Sequence, residues 1–306
     1  MNWAAKVAGY KLLSVLPGGG TLYRFCQKRV TRSLAPTRDR VGQKIGTALK
    51  YYAWLVDNGL RGRLIDGVHL DFGAGWHPTI PLLYYCLGTS RQHLFDVTAN
   101  LDRQMLQQTL KVFLDLVTHP QWPHRAKLAR LPAQLEDSPW RAHLERLGIL
   151  YHAPCGDAFA SLSAGVDVVT STQALLHVPR SAMPGCFRQI HASLKSSGLF
   201  MATVYLQDIL TGNLQTGVNR YGQLQYSPET WERWFSSSIM RYNRFRVPDY
   251  REMLEEAGFG VVHCEVEPPT AEDYAELDRI RIAACFQRYT RADLAAKCLF
   301  FVARKR

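Results

Sequence analysis

A chain of 306 residues, 47% hydrophobic and 21% charged, can bury a real core as one large domain or as a domain with an extension. No run of 18 apolar residues occurs, which excludes a transmembrane helix, and the opening lacks a cleavage-site pattern, so it is expected to be mature sequence. The formal charge of +11 is concentrated at one end, with ten Lys or Arg and a single acid, Asp39, in residues 1–50.

Residues 1–60 read as a basic helical extension broken at Pro17-Gly18-Gly19-Gly20, with Trp3, Val7, Tyr10, Leu13 and Leu16 recurring at helical spacing between lysines. Its charge suits something anionic, a membrane surface or a phosphorylated substrate, or else a solvated helical face. No nucleic-acid-reading module accompanies it, so nucleic acid is not expected as a partner. Peripheral contact with a membrane through residues 1–50 and a cap over a pocket are both open readings. A chain beginning near residue 60 is expected to keep cofactor binding and to lose most turnover.

From residue 68 the rhythm changes. Val68–Phe72 is predicted as a strand, Thr79–Leu87 as a helix, Gln92–Val97 as a strand and Leu101–Val117 as a helix. Strands follow at Gly148–His152, Val166–Thr170 and Leu199–Leu206, with a helix at Met183–Leu194 ending in Ser196-Ser197-Gly198. An aromatic segment without clear periodicity, 208–246, precedes a helix at Pro248–Ala257 and strands at Gly260–Val266 and Ala296–Arg304. Apolar strands alternating with helices argue for an α/β fold, a mostly parallel sheet covered on both faces.

The first strand ends in Asp71-Phe72-Gly73-Ala74-Gly75. Glycines there let backbone N–H groups approach a ligand at a helix N-terminus, and Pro78 suits a first helical turn. Asp96 ends the second strand 23 residues after Gly73, where an acid can accept from both hydroxyls of a ribose. Asp157, in Gly156-Asp157-Ala158, follows the third strand, where an adenine would lie; a strand-end turn explains either acid as well.

These residues resemble the class I S-adenosylmethionine-dependent methyltransferases over roughly residues 66–304. The resemblance implies a doubly wound, seven-stranded, Rossmann-like sheet whose last strand is antiparallel. It implies S-adenosyl-L-methionine as cofactor, held by Asp71, Gly73, Ala74 and Gly75, by Asp96 at the ribose, and by Asp157 with Ala158 at the adenine. The segment "DVVTSTQALLHVP" resembles the stretch that the family places beside the cofactor, adding Thr172 and Gln173, with His177 in a frequent histidine position. The family's usual third glycine would fall at His77; Trp76-His77-Pro78 stands there instead, closing the pocket end or packing the extension across it.

His177 is the candidate base, against the alternative of a packed wall residue. The 208–246 segment is expected to be an acceptor-side lid on a catalytic domain of residues 61–306, with Tyr205, Arg241, Tyr242 and Arg244 as candidate acceptor contacts; aromatics beside arginines suit a ring, a sugar or a phosphate. The acids do not cluster as metal ligands, and the seven scattered cysteines show no CxxC or Cys/His spacing, so no metal and reduced thiols in a cytoplasm are expected. The expected function is methyl transfer to a small-molecule or glycan-type acceptor, at oxygen. Two other classes share features: a nicotinamide-dependent oxidoreductase, though the GxGxxG spacing is lacking, and a non-catalytic membrane-surface binding protein.

Overall fold

The computed structural model describes every residue except 1–2, 32, 118–123, 132–134, 136–138, 157 and 210–218. Among the described residues seven strands form one sheet: β1 Val68–Phe72, β2 Arg91–Phe95, β3 Ile149–His152, β4 Val166–Thr172, β5 Leu194–Tyr205, β6 Phe259–Val266 and β7 Cys298–Lys305. Their order is β3-β2-β1-β4-β5-β7-β6, parallel from β3 through β5, with β7 antiparallel to both β5 and β6. This is the α/β sheet expected from the strand pattern.

The strand period of two assigns side chains to two cores. Along β5, Leu199 and Met201 face one cluster, and Phe200, Ala202 and Val204 the other; Phe300 and Val302 of β7 divide from Leu299, Phe301 and Ala303 in the same way. Burial on both faces is why these strands read as continuous apolar runs.

The extension forms α1 Trp3–Val15, α2 Gly19–Phe25 and α3 Arg38–Asp57, followed by α4 Arg61–Ile65; α5 Thr79–Leu87 and α6 Arg103–Leu116 come after β1 and β2. α3 starts where the Thr37 hydroxyl accepts from the Arg40 amide, and it buries Val41, Ala48, Tyr51 and Leu55 along one stripe. That stripe belongs to the core that also contains Leu82, Leu94 and Leu110, so packing has no break at residue 60. Val41, Tyr51 and Leu55 each contribute on the order of 2 kcal/mol by leaving water.

Two differences from the sequence expectation have local causes. β5 begins five residues early because Leu194 pairs with Val166, with an irregularity before Val168, so Ser196-Ser197-Gly198 lies within the strand rather than after a helix. Residues 267–295, left unassigned by periodicity, hold helices Ala271–Asp278 and Arg291–Ala295. Each opens on a reciprocal capping box, Thr270 with Asp273 and Thr290 with Asp293. Both pack with Tyr221 and Leu224 of the aromatic segment in a smaller third cluster.

Candidate cofactor crevice and acceptor site

β1 lies between β2 and β4, where the strand order reverses, and the crevice of such a sheet opens at the carboxyl ends of these strands. The turn after β1 depends on its glycines. Gly73 has φ 83°, and a Cβ there would come within 2.1 Å of the Ala174 Cβ; Gly75 has φ 67°, and a Cβ there would meet nothing nearer than 3.8 Å. The first glycine is therefore needed for close packing, while the space in front of the second is open.

Asp96 is oriented by the same turn. Its two carboxylate oxygens accept from the Gly75 amide at 2.8 Å and the Thr98 amide at 3.0 Å. An ionised carboxylate has roughly four acceptor sites, so about two are left for hydroxyls. The open approach at Gly75 and these spare acceptors fit a ribose-bearing cofactor.

Behind the turn, Asp71 is buried and accepts from the Thr170 hydroxyl at 3.1 Å. Burial pushes its pKa up to about 6, against the pull of the Lys44 ammonium. Lys44 comes from α3 and donates to the His77 carbonyl at 3.0 Å. Protein atoms crowding its ammonium lower its pKa, and Asp71 and Asp96 oppose the drop. One helical turn pair further on, the Tyr51 hydroxyl reaches the ends of β4 and β5, 3.0 Å from the Ser171 carbonyl and 2.9 Å from the Thr203 hydroxyl, with Thr172 Oγ1 at 3.3 Å.

Trp76 and His77 hold the extension across the turn. The His77 Nε2 donates to the Leu34 carbonyl at 2.8 Å, and the Lys28 ammonium lies 5.1 Å from the Trp76 ring centre while pairing with Asp102 at 2.6 Å. Burial holds His77 down at about pKa 4, so it is neutral, with its proton on Nε2.

On the adenine side Asp157 lies outside the described residues. Ala158 opens a short helix, whose Phe159 sits 5.9 Å from Phe72 and 4.7 Å from Phe95 between ring centres. Gln173 leaves β4 with φ 56°, a left-handed conformation uncommon for its type, and its side-chain oxygen accepts from the Tyr205 amide at 2.6 Å. Its side chain therefore braces β5 beside the crevice.

On the acceptor side, His177 ends a 3-10 turn, Leu175–His177, and is exposed. Its Nδ1 lies 2.9 Å from the Arg241 carbonyl, which can only accept, so Nδ1 carries the proton and Nε2 of the neutral ring is basic. Crowding by surrounding protein lowers its pKa, opposed by that hydrogen bond and by the charge of Asp96. The Tyr205 hydroxyl donates to Gln207 Oε1 at 2.6 Å, keeping an acceptor lone pair.

The arginine–tyrosine cluster expected to face the acceptor divides. Arg241 is exposed, with Nε 3.3 Å from the Ser236 hydroxyl. Tyr242 and Arg244 correct the expectation, since both turn inward. The buried Tyr242 hydroxyl donates to Asp208 at 2.6 Å; Arg244 donates to the carbonyls of Gln223 and Tyr226 at 2.7 and 2.6 Å and lies over the Trp231 and Phe286 rings. A guanidinium with no carboxylate in ion-pair contact needs such carbonyls once desolvated, and these two residues hold the segment in shape.

The topology and crevice define a Rossmann-like methyltransferase fold. A family model described as a methyltransferase domain matches residues 21–264, and the chain belongs to that family. It is an S-adenosylmethionine-dependent methyltransferase, and the oxidoreductase reading falls with that assignment. No curated protein matches the sequence. Among solved structures it is similar to the Burkholderia thailandensis 1,6-didemethyltoxoflavin-N1-methyltransferase, at 17% identity over 100% of this chain and 91% of that one, TM-score 0.46. It is also similar to the magnesium protoporphyrin IX methyltransferase of Synechocystis PCC 6803, at 13% identity over 94% and 99%, TM-score 0.47. A third is an S-adenosylmethionine dependent methyltransferase from Mesorhizobium loti, at 18% identity over 78% and 90%, TM-score 0.40.

Lys44 and Tyr51 escaped the sequence reading. The signal was present: positions 41, 44, 48, 51 and 55 form one helical stripe, and a half-buried lysine within an otherwise apolar stripe marks a cation with a partner.

Proposed function

We propose that this enzyme methylates a hydroxyl oxygen of a small-molecule or glycan-type acceptor, with His177 as general base. The supporting observation is the proton on Nδ1 held by the Arg241 carbonyl, which leaves Nε2 free to take a hydroxyl proton. S-adenosylmethionine supplies an electrophilic methyl carbon on a sulfonium. Gly73, Ala74 and Gly75 would hold its methionine part, with Lys44 beside the turn, and Asp96 its ribose. Thr172, Gln173, Asp157 and Ala158 would border it. Tyr205 and Arg241 are the acceptor contacts, while Tyr242 and Arg244 support them from behind.

The assay is turnover against a panel of labelled-methyl acceptors, followed by the pH profile on any hit. A neutral base with a lowered pKa gives a rate that rises with pH through a value below 6.5 and then stays flat. His177→Gln should lower turnover about 100-fold and abolish that acid limb while cofactor affinity holds. An unchanged profile in the variant removes His177 from the chemistry.

A further inference from the structure

We propose that α1 and α2 form a docking surface for an anionic lipid membrane. α1 carries two apolar stripes on opposite sides. Val7 is buried and Tyr10 packs against the same core, whereas Leu12 and Val15, and Leu16 just past the helix end, are 63%, 76% and 46% exposed. α2 packs against α1 through the Tyr10–Tyr23 edge contact, and the exposed series continues with Leu22, Phe25 and then Val30. Six of the twelve large apolar side chains exposed among the described residues thus fall between positions 12 and 30. A surface helix normally shows water its polar face; here the outward face is apolar and needs a cover.

The charge around this face selects the cover. No acid precedes Asp39, and Lys11, Arg24 and Arg29 take part in no ion pair among the described residues. A second copy of this chain would set cation against cation, whereas an anionic headgroup layer complements both the cations and the apolar side chains between them. The surface reaches the acceptor-side segment: Lys11 Nζ donates to the Glu232 carbonyl at 3.3 Å, and Trp234, 59% exposed, lies two residues further along. Tryptophan is a residue that settles at the headgroup level. No helix among the described residues is long and apolar enough to cross a bilayer, so α1 and α2 would lie in its surface. α3, by contrast, is fixed on the crevice through Lys44, so docking leaves the cofactor turn intact.

The test is co-sedimentation of the full chain with vesicles of phosphatidylcholine and phosphatidylglycerol, and with vesicles of phosphatidylcholine alone. Binding is expected on the mixed vesicles only, and it should fade in 1 M salt, where the screening length is about 3 Å. Two variants should each weaken it roughly tenfold or more: Leu12→Ser with Val15→Ser and Phe25→Ser, and Arg24→Gln with Arg29→Gln. Leu12, Val15, Phe25 and Arg29 are exposed and Arg24 is half-buried outside every core cluster, so melting and S-adenosylhomocysteine binding should match the parent chain. No binding, or equal binding to both vesicle types, overturns the proposal. A solution dimer, seen by light scattering and dissolved by the same serine substitutions, also overturns it and gives the face to a second copy.

Discussion

The ammonium of Lys44 donates to the carbonyl of His77 across 33 positions of sequence, tying α3 to the turn that follows β1. The same ammonium lies in the field of Asp71 and Asp96, so one cation from the extension balances two acids at the crevice floor. The cofactor turn is therefore held from both sides, by the strands beneath and by α3 above.

Replacing Lys44 with Met keeps the stem and removes the charge. A hydrogen bond from a charged group is worth about 1.5–3 kcal/mol, so the turn should loosen and S-adenosylhomocysteine should bind at least tenfold more weakly in calorimetry. Unaltered affinity would reduce Lys44 to a packing residue.

Asp96→Ala removes the acceptor of the Gly75 and Thr98 amides together with the proposed ribose contact. A loss of about 1–3 kcal/mol in cofactor binding is expected, read by the same titration. Asp96→Asn should recover part of it, because an amide oxygen still accepts one of the two amides.

The two arginines should separate in their effects. Arg244→Ala leaves the Gln223 and Tyr226 carbonyls without a donor and opens the space between Trp231 and Phe286, so the melting temperature should fall by several degrees. Arg241→Ala, on an exposed side chain, should leave melting alone and raise KM for the acceptor. If both variants only lower stability, Arg241 is not an acceptor contact.

Stability should decline in acid through His69. It is fully buried in β1, between Gln92 Oε1 at 3.1 Å and Thr170 Oγ1 at 2.8 Å, and burial lowers its pKa to about 3. Between pH 6.5 and 3 the unfolded chain takes up a proton that the folded one refuses. Its contribution is thus full above 6.5 and falls as pH drops, by up to about 5 kcal/mol. Denaturant titrations of His69→Gln should show a flatter pH dependence over that window than the parent chain.

Truncation should distinguish the two parts of the extension. A chain beginning at Pro36 retains the Thr37 cap and all of α3, and it should fold and bind cofactor. One beginning at residue 61 loses Val41, Ala48, Tyr51 and Leu55 from the core and should fail to fold, which revises the expectation that it would keep cofactor binding. Melting followed by circular dichroism decides the matter.

The sequence by itself determined the strand series, the glycine turn and the acid ending β2, because each depends on residues close in the chain: apolar runs of strand length, φ values open to glycine, and a carboxylate at a strand end. It also carried the capping boxes that begin the two helices before β7, as local signals that periodicity alone passes over. What only the tertiary structure decided is where long side chains point. Arg241 and Arg244 are three residues apart and chemically identical, yet one meets solvent and the other two carbonyls, and no local pattern separates them. Lys44 likewise reads as one more charge in a basic extension until α3 lies across the sheet and brings it to Asp71, Asp96 and the His77 carbonyl. Local conformation follows from neighbouring residues, whereas the partners of a buried charge are chosen by whichever elements packing brings together.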